Sequence, residues 1–308
     1  MDRNSVDWRG SMPAIVTPFD AKGNIDEAKF RAHIESQIGF GATGVVVSGC
    51  TGEFWALSLD ERKRLFKIAV DVSRSRIQVI AGTGTIRTQD VIELTTAAKD
   101  AGCAGAMIMP PYFVKPSTAD VIAHYETISD AVKFPIMLYN IPSYNQTPLM
   151  PELVSRLADI DCVVAIKESS MDFNIFYKTI LVAGDRLRVF CGPAGLFGMA
   201  AIEAGSPGYV EAFPNFWPEP EAHQFCEIVK SGDQERVRRV QKRALQLSEL
   251  MSTNGRNYYT SVKTAMNVLG LPGGLPRLPL RLLGEPHISE IKRGLAELGL
   301  RKIAAAAE

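Results

Sequence analysis

No segment of this 308-residue chain approaches the ~20 consecutive apolar residues that a membrane-spanning helix requires, because glycine, proline or charge interrupts every apolar run. No membrane association is therefore expected. The opening residues, MDRNSVDWRG, lack the apolar stretch of a secretory signal. An excess of charge of either sign is also missing. The 34 Lys and Arg balance the 34 Asp and Glu, which removes any global attraction to nucleic acid. Histidine is scarce: His33, His124, His223 and His287 show neither HxxxH nor HxH spacing, so no metal centre is expected. Cys50, Cys103, Cys162, Cys191 and Cys226 are odd in number and form no CxxC pair, which fits reduced thiols in a cytoplasmic protein. No GxGxxG turn follows the first apolar run, which counts against a dinucleotide-binding open sheet.

What is present is a repeated alternation. Eight short apolar runs are Pro13–Phe19, Thr43–Gly49, Ile77–Gly84, Ala104–Pro111, Pro135–Pro142, Val163–Ser169, Leu187–Pro193 and Gly208–Pro214. They are almost continuously apolar rather than alternating, as parallel strands covered on both faces are. Helix-like segments lie between them, such as Ile25–Phe40, Ser58–Val72 and Thr88–Ala101. Ser58-Leu59-Asp60-Glu61 is a capping-box pattern, and Thr118 with Asp120 behind Pro116 marks another start. Eight such units in succession predict an α/β fold, a closed (β/α)8 TIM barrel. Three further helical segments follow, Trp217–Arg243, Tyr258–Leu269 and Ile288–Leu298, more than the barrel needs. The expected organisation is a barrel over residues 1–230 and a C-terminal helical extension over 231–308 packed on it. The final AAAAE is expected to fray.

Function in such a barrel sits where strands end. Lys167 ends the sixth run behind Val163-Val164-Ala165-Ile166. Burial there would disfavour the ammonium and free a neutral amine to act as a nucleophile. A pairing with Glu168, or a side chain reaching out to the rim, is the structural alternative. Tyr139 ends the neighbouring fifth run and would face the same mouth, as a proton shuttle or as a packed core phenol. Gly49-Cys50-Thr51-Gly52-Glu53 ends the second run; its hydroxyl and backbone N–H groups suit a carboxylate, and a plain tight turn is the alternative. An amine, a proton shuttle and a carboxylate cradle are together what a 2-oxo acid needs.

These residues carry a resemblance to the dihydrodipicolinate synthase / N-acetylneuraminate lyase family of class I, pyruvate-type aldolases. Its markers are Thr17-Pro18-Phe19, Gly49-Cys50-Thr51-Gly52-Glu53, Ala81-Gly82-Thr83-Gly84, Pro111-Tyr112-Phe113 with Lys115-Pro116, Tyr139-Asn140-Ile141-Pro142 and Ile166-Lys167-Glu168. The resemblance spans Pro13 to about Leu300. It implies an imine on Lys167, Tyr139 as general acid/base, Thr51 with its backbone on the substrate carboxylate, and main-chain contact from Val210. It implies no metal or organic cofactor, a small 2-oxo acid as the only partner, and a homotetramer.

The departures bear on the second substrate. Cys50 stands where the family usually has Ser or Thr. Phe113 stands where dihydrodipicolinate synthases have a second tyrosine lent by a neighbouring subunit, and Tyr144 where they have an Arg that grips a second carboxylate. These changes argue against aspartate semialdehyde, and so against a true dihydrodipicolinate synthase. Gly192-Pro193-Ala194-Gly195 lacks the acidic residues that sialic acid lyases carry after the seventh strand. The chain offers instead Glu211 and an aromatic rim of Tyr112, Phe113, Tyr144 and Trp55. A less polar acceptor, or one whose amine or hydroxyl meets Glu211, is expected; a salt bridge at the barrel end is the alternative for Glu211. The expected activity is aldol cleavage or addition with pyruvate as the keto component. Dehydration or deamination of a hydroxylated 2-oxo acid or cyclic imine carboxylate through the same enamine is the alternative. A non-catalytic carboxylate-binding barrel is the reading from another class.

Overall fold

The computed structural model describes residues 1–302. The terminal AAAAE, expected to fray, lies outside the described residues. Eight parallel strands form one sheet: β1 (Gly10–Ser11), β2 (Gly44–Val47), β3 (Gln78–Gly82), β4 (Gly105–Ile108), β5 (Ile136–Asn140), β6 (Val163–Glu168), β7 (Arg188–Cys191) and β8 (Gly208–Tyr209). From β2 to β8 each pairs with the next in sequence, and β8 pairs with β1. The ring closes where Val46 N–H donates to Pro13 O (2.8 Å) and Ile15 N–H to Val46 O (3.0 Å). This is the expected (β/α)8 barrel.

The first strand differs from the sequence expectation. Pairing with β8 occurs at Gly10–Ser11, ahead of Pro13–Phe19. Two prolines, Pro13 and Pro18, have no N–H to place in a ladder, so the segment crosses between its neighbours with single bonds instead. Between successive strands lie α1 (Glu27–Phe40), α2 (Leu59–Ser73), α3 (Thr88–Ala101), α4 (Thr118–Val132), α5 (Pro142–Asn145) with α6 (Pro151–Leu157), α7 (Phe173–Ala183) and α8 (Ala194–Glu203), and the expected Ser58 capping box starts α2. The cap of α4 (Thr118–Val132) is Ser117, which bonds reciprocally with Asp120, one residue before the expected Thr118. The expected helix over Trp217–Arg243 is broken. It becomes α9 (Phe225–Lys230) and α10 (Gln234–Ser252), separated at Gly232 with φ +74° and capped anew by Asp233. Beyond them lie α11 (Tyr258–Val268) and α12 (Glu285–Glu297).

Side chains alternate across each strand, so residues two apart share a face. Inside the barrel, Ala14, Val46, Ile80, Met107, Met137, Ala165, Phe190 and Val210 belong to one buried cluster. A second, larger cluster fills the space between the sheet and the surrounding helices. Two residues beyond Met137 and Ala165 stand Tyr139 and Lys167, on the inward face at the carboxyl end.

Candidate active site

The period of two that sends Lys167 inward sends Glu168 outward. Glu168 accepts from Asn140 Nδ2 and Ser170 N–H. The pairing of Lys167 with its sequence neighbour therefore does not form, and no ion pair to Lys167 occurs among the described residues. Lys167 is 7% exposed. Burial pushes its amine below the ordinary lysine value, against the pull of Cys50 and Glu211. Tyr139 and Lys167 are register partners on β5 and β6, and Lys167 Nζ lies 4.3 Å from the centre of the Tyr139 ring. Burial pushes the Tyr139 phenol well above its ordinary value, and its hydroxyl donates to Cys50 Sγ at 3.8 Å.

The turn after β2 is wound tightly. Gly52 N–H donates to Gly49 O and Glu53 N–H to Cys50 O, both at 3.0 Å, and Thr17 Oγ1 donates to Gly52 O at 2.8 Å. Space beside Gly52 is tight: an added Cβ would lie 3.1 Å from Ile15 O and 3.2 Å from Ser48 N. The N–H groups of Cys50 and Thr51 donate to no acceptor among the described residues. Free N–H groups in a turn suit a carboxylate.

A cavity of about 460 Å³ opens at this end of the barrel. Cys50, Thr51, Tyr139, Tyr144, Lys167 and Glu211 all line it, so six of the eight expected site residues come together. Glu211 forms no salt bridge among the described residues. Its carboxylate accepts from Ala212 N–H at 2.8 Å and from the Tyr258 hydroxyl at 3.5 Å. Burial raises its carboxyl above the usual range, and Lys167 partly offsets this. Val210 is buried in the inner cluster beneath the cavity, with its N–H donating to Cys191 O.

Phe113 is not brought to the cavity. It sits in the loop between β4 and α4 with φ +72° and is 87% exposed. Phe113 therefore does not line this cavity within one chain, because the loop turns the ring outward.

Sequence reasoning missed the helical wall. Tyr258 and Tyr259 open α11 and line the cavity, and Leu245, Ser248, Glu249 and Ser252 reach it from α10. The extension thus forms part of the mouth. The signal was the Asn257-Tyr258-Tyr259 helix start, where the Asn257 side chain accepts from Thr260 N–H and two aromatics follow the cap. A buried anchor fixes this helix: Lys263 pairs with Glu53 and donates to Thr17 O (2.6 Å) and Leu275 O (2.8 Å). Burial lowers the Lys263 ammonium to about 8 despite that partner, so the charge is retained at neutral pH.

A closed parallel barrel with a buried amine and a phenol at its mouth defines a class of enzyme, the lyases that work through a lysine Schiff base. Comparison with known proteins places the chain within it. Residues 7–298 match the dihydrodipicolinate synthetase family, and the chain belongs to that family. It is 37% identical over 298 residues to a 4-hydroxy-tetrahydrodipicolinate synthase of Syntrophobacter fumaroxidans, covering 95% of this chain and 99% of that one. An uncharacterized DapA-like lyase of Rhizobium meliloti is 34% identical over 293 residues, 95% and 97% of the two chains. Among solved structures, YagE, a prophage protein of the dihydrodipicolinic acid synthase family from E. coli K12 in complex with pyruvate, superposes with a TM-score of 0.91. It is 28% identical, over 96% of this chain and all of that one. The chain is a class I aldolase/lyase of this family, which sets aside the non-catalytic reading. No helix among the described residues is long and apolar enough to cross a membrane.

Proposed function

We propose that this enzyme forms an imine between Lys167 and the C2 carbonyl of a 2-oxo acid, and makes or breaks a carbon–carbon bond at C3 with pyruvate as the keto component. The observation that carries this reading is the buried, unpaired Lys167 beside Tyr139 on the cavity floor. The neutral amine attacks C2, and the protonated imine then draws in the electrons released at C3 as the enamine forms. Tyr139 moves the protons, and Thr51 with the free N–H groups of its turn holds the substrate carboxylate. The imine supplies the electron sink, so the reaction calls for no metal or organic cofactor. We infer a cytoplasmic homo-oligomer, a tetramer by family resemblance, that meets small-molecule substrates only.

The test is reductive trapping with pyruvate and borohydride, followed by mapping of the adduct by mass spectrometry. The adduct is expected on Lys167 and is expected to vanish in Lys167→Ala. Its absence from the wild type, or its persistence in that variant, would sink the imine.

One observation favours a second reading. Glu211 is a buried carboxyl in the same cavity, bonded by Tyr258. As a neutral acid it can protonate a hydroxyl or amine on C4, and the enamine then expels water or ammonia. As a carboxylate it can instead take the proton of a C4 hydroxyl, which leads to aldol cleavage. A panel of 4-hydroxy- and 4-amino-2-oxo acids separates the two: pyruvate release supports cleavage, and loss of water from the hydroxy acids or of ammonia from the amino acids without pyruvate supports elimination.

A further inference from the structure

The cavity of about 460 Å³ extends from Lys167 to α10. There Leu245, Ser248, Glu249 and Ser252 stand at i, i+3, i+4 and i+7, one face of the helix. Ser248 packs on the start of α8, where a Cβ added to Gly195 would collide with its Oγ. Glu211 is a second acid in the same cavity, bonded by Tyr258. Among the described residues, Lys167 is the only cation that lines it, and burial shifts that amine toward its neutral form. Glu249 forms no ion pair among the described residues.

Three observations narrow what fills the far end. Two acids and no arginine disfavour a second carboxylate, which would meet like charge and no cationic partner. The hydroxyls of Ser169, 8% exposed, and Ser248 line the cavity without a bonding partner. A wholly apolar acceptor would leave them unsatisfied. Tyrosine rings form a corner beside the acids. Tyr258 and Tyr259 stand 5.8 Å apart at 90°, and Tyr144 stands 6.1 Å from Tyr259 at 47°. An ammonium group is drawn both to ring faces and to carboxylates.

We propose that the far end of this cavity is a cation subsite, formed by Glu211 and Glu249 with Tyr144, Tyr258 and Tyr259, and that the second substrate is an aldehyde carrying an ammonium group. This deepens the imine reading above and rests on it. C3 of the enamine bonds to the aldehyde carbon as the carbonyl π bond breaks. That electron pair passes to oxygen, which takes up the proton that C3 gave up. Water then hydrolyses the imine. Pyruvate and the aldehyde thus give one 4-hydroxy-2-oxo acid bearing an ammonium group, with no oxidant or reductant, and the reverse reaction cleaves it. The carboxylate of this acid lies at the Thr51 turn and its ammonium at the two acids, so opposite charges at its ends fix one binding orientation.

Ligand-observed proton NMR with pyruvate present reads the subsite without a reaction. The probes are choline, its neutral isostere 3,3-dimethylbutan-1-ol, the anion 4-hydroxybutanoate and the polyol glycerol. Choline should bind about tenfold more tightly than the isostere, the size of a cation–π contact with partial desolvation, and the other two more weakly than choline. Glu249→Gln should lower the choline-to-isostere ratio about threefold, as loss of an exposed ion pair does. Glu249→Lys, at an exposed position, should turn the preference over to 4-hydroxybutanoate. Equal binding of choline and its isostere, tighter binding of the anion or of glycerol, or a ratio unmoved by both variants would overturn the subsite. Pyruvate consumption with the matching aldehydes, trimethylammonioacetaldehyde and 3,3-dimethylbutanal, should show a similar preference in kcat/KM. If borohydride gives no adduct on Lys167, the imine reading fails and this proposal falls with it. If the adduct forms and the two aldehydes are consumed equally, or neither is consumed, only the ammonium aldehyde fails as the substrate.

Discussion

Replacing Lys263 by methionine should expose how α11 is held over the barrel mouth. The substitution keeps an unbranched chain of similar volume and removes the ammonium. Glu53 is fully buried, and apart from Lys263 its one bonded donor among the described residues is Arg277 N–H at 3.1 Å. The carboxylate is thus left nearly uncompensated, and breaking a buried pair from one side costs about 3–5 kcal/mol. The carbonyls of Thr17 and Leu275 lose a donor as well, each adding on the order of 1 kcal/mol. At its low end the total is about 5 kcal/mol. At this chain length each kcal/mol shifts the melting temperature by roughly 1.5 °C, so a fall of about 8 °C is expected in thermal unfolding. The double variant Glu53→Gln, Lys263→Met removes both charges and should be more stable than Lys263→Met alone, because no uncompensated carboxylate remains. A shift of under about 2 °C for the single variant, or a double variant as unstable as the two singles summed, would refute the anchoring role.

Lys167→Met should abolish the pyruvate adduct and raise the urea midpoint by an amount equivalent to about 1 kcal/mol, because a buried, unpaired amine gives way to an apolar chain; a lower midpoint would mean that Lys167 is structural. The trapping rate should rise with pH and level off below the ordinary lysine value of 10.5, since the neutral amine attacks and burial lowers the folded pKa. Between the folded and unfolded pKa values the unfolded state binds the extra proton, so this lysine's contribution to stability improves as pH rises through that window. A plateau reached only above 10.5 would show that the amine is not desolvated. Phe113→Ser should cost under about 0.5 kcal/mol and leave trapping intact, as expected for a side chain that is 87% exposed. Loss of the adduct would mean that a second copy of the chain carries Phe113 into the cavity.

The parts of the site legible in the sequence are those that a strand dictates. Once Val163–Glu168 is a strand, alternation alone puts Ala165 and Lys167 on one face and Glu168 on the other. The same logic places Tyr139 above Met137, and the pairing of β5 with β6 makes Tyr139 and Lys167 partners. What spacing does not show is where Glu168 finds its own partners, Asn140 and Ser170, which only the folded chain brings to it. The first strand was misplaced for a similar reason. Pro13–Phe19 is as apolar as any strand, and only the ring closure shows that its prolines make it a crossing segment.

The helical wall was illegible because a helix has no fixed register against a barrel until something pins it. Here the pin and a residue that lines the cavity share a face. Tyr259 and Lys263 are one turn apart, at i and i+4, so both point toward the barrel. Lys263 reaches down to Glu53, which ends the same turn that carries Cys50 and Thr51. The carboxylate cradle and the α11 tyrosines are therefore held to each other through one ion pair. A sequence reader sees Glu53 as the last letter of a familiar turn and Lys263 as one more helical cation. Their pairing ties the start of α11, where Tyr259 lines the cavity, to the turn after β2, so a change at Glu53 or Lys263 should loosen the helical wall as it lowers the stability of the fold.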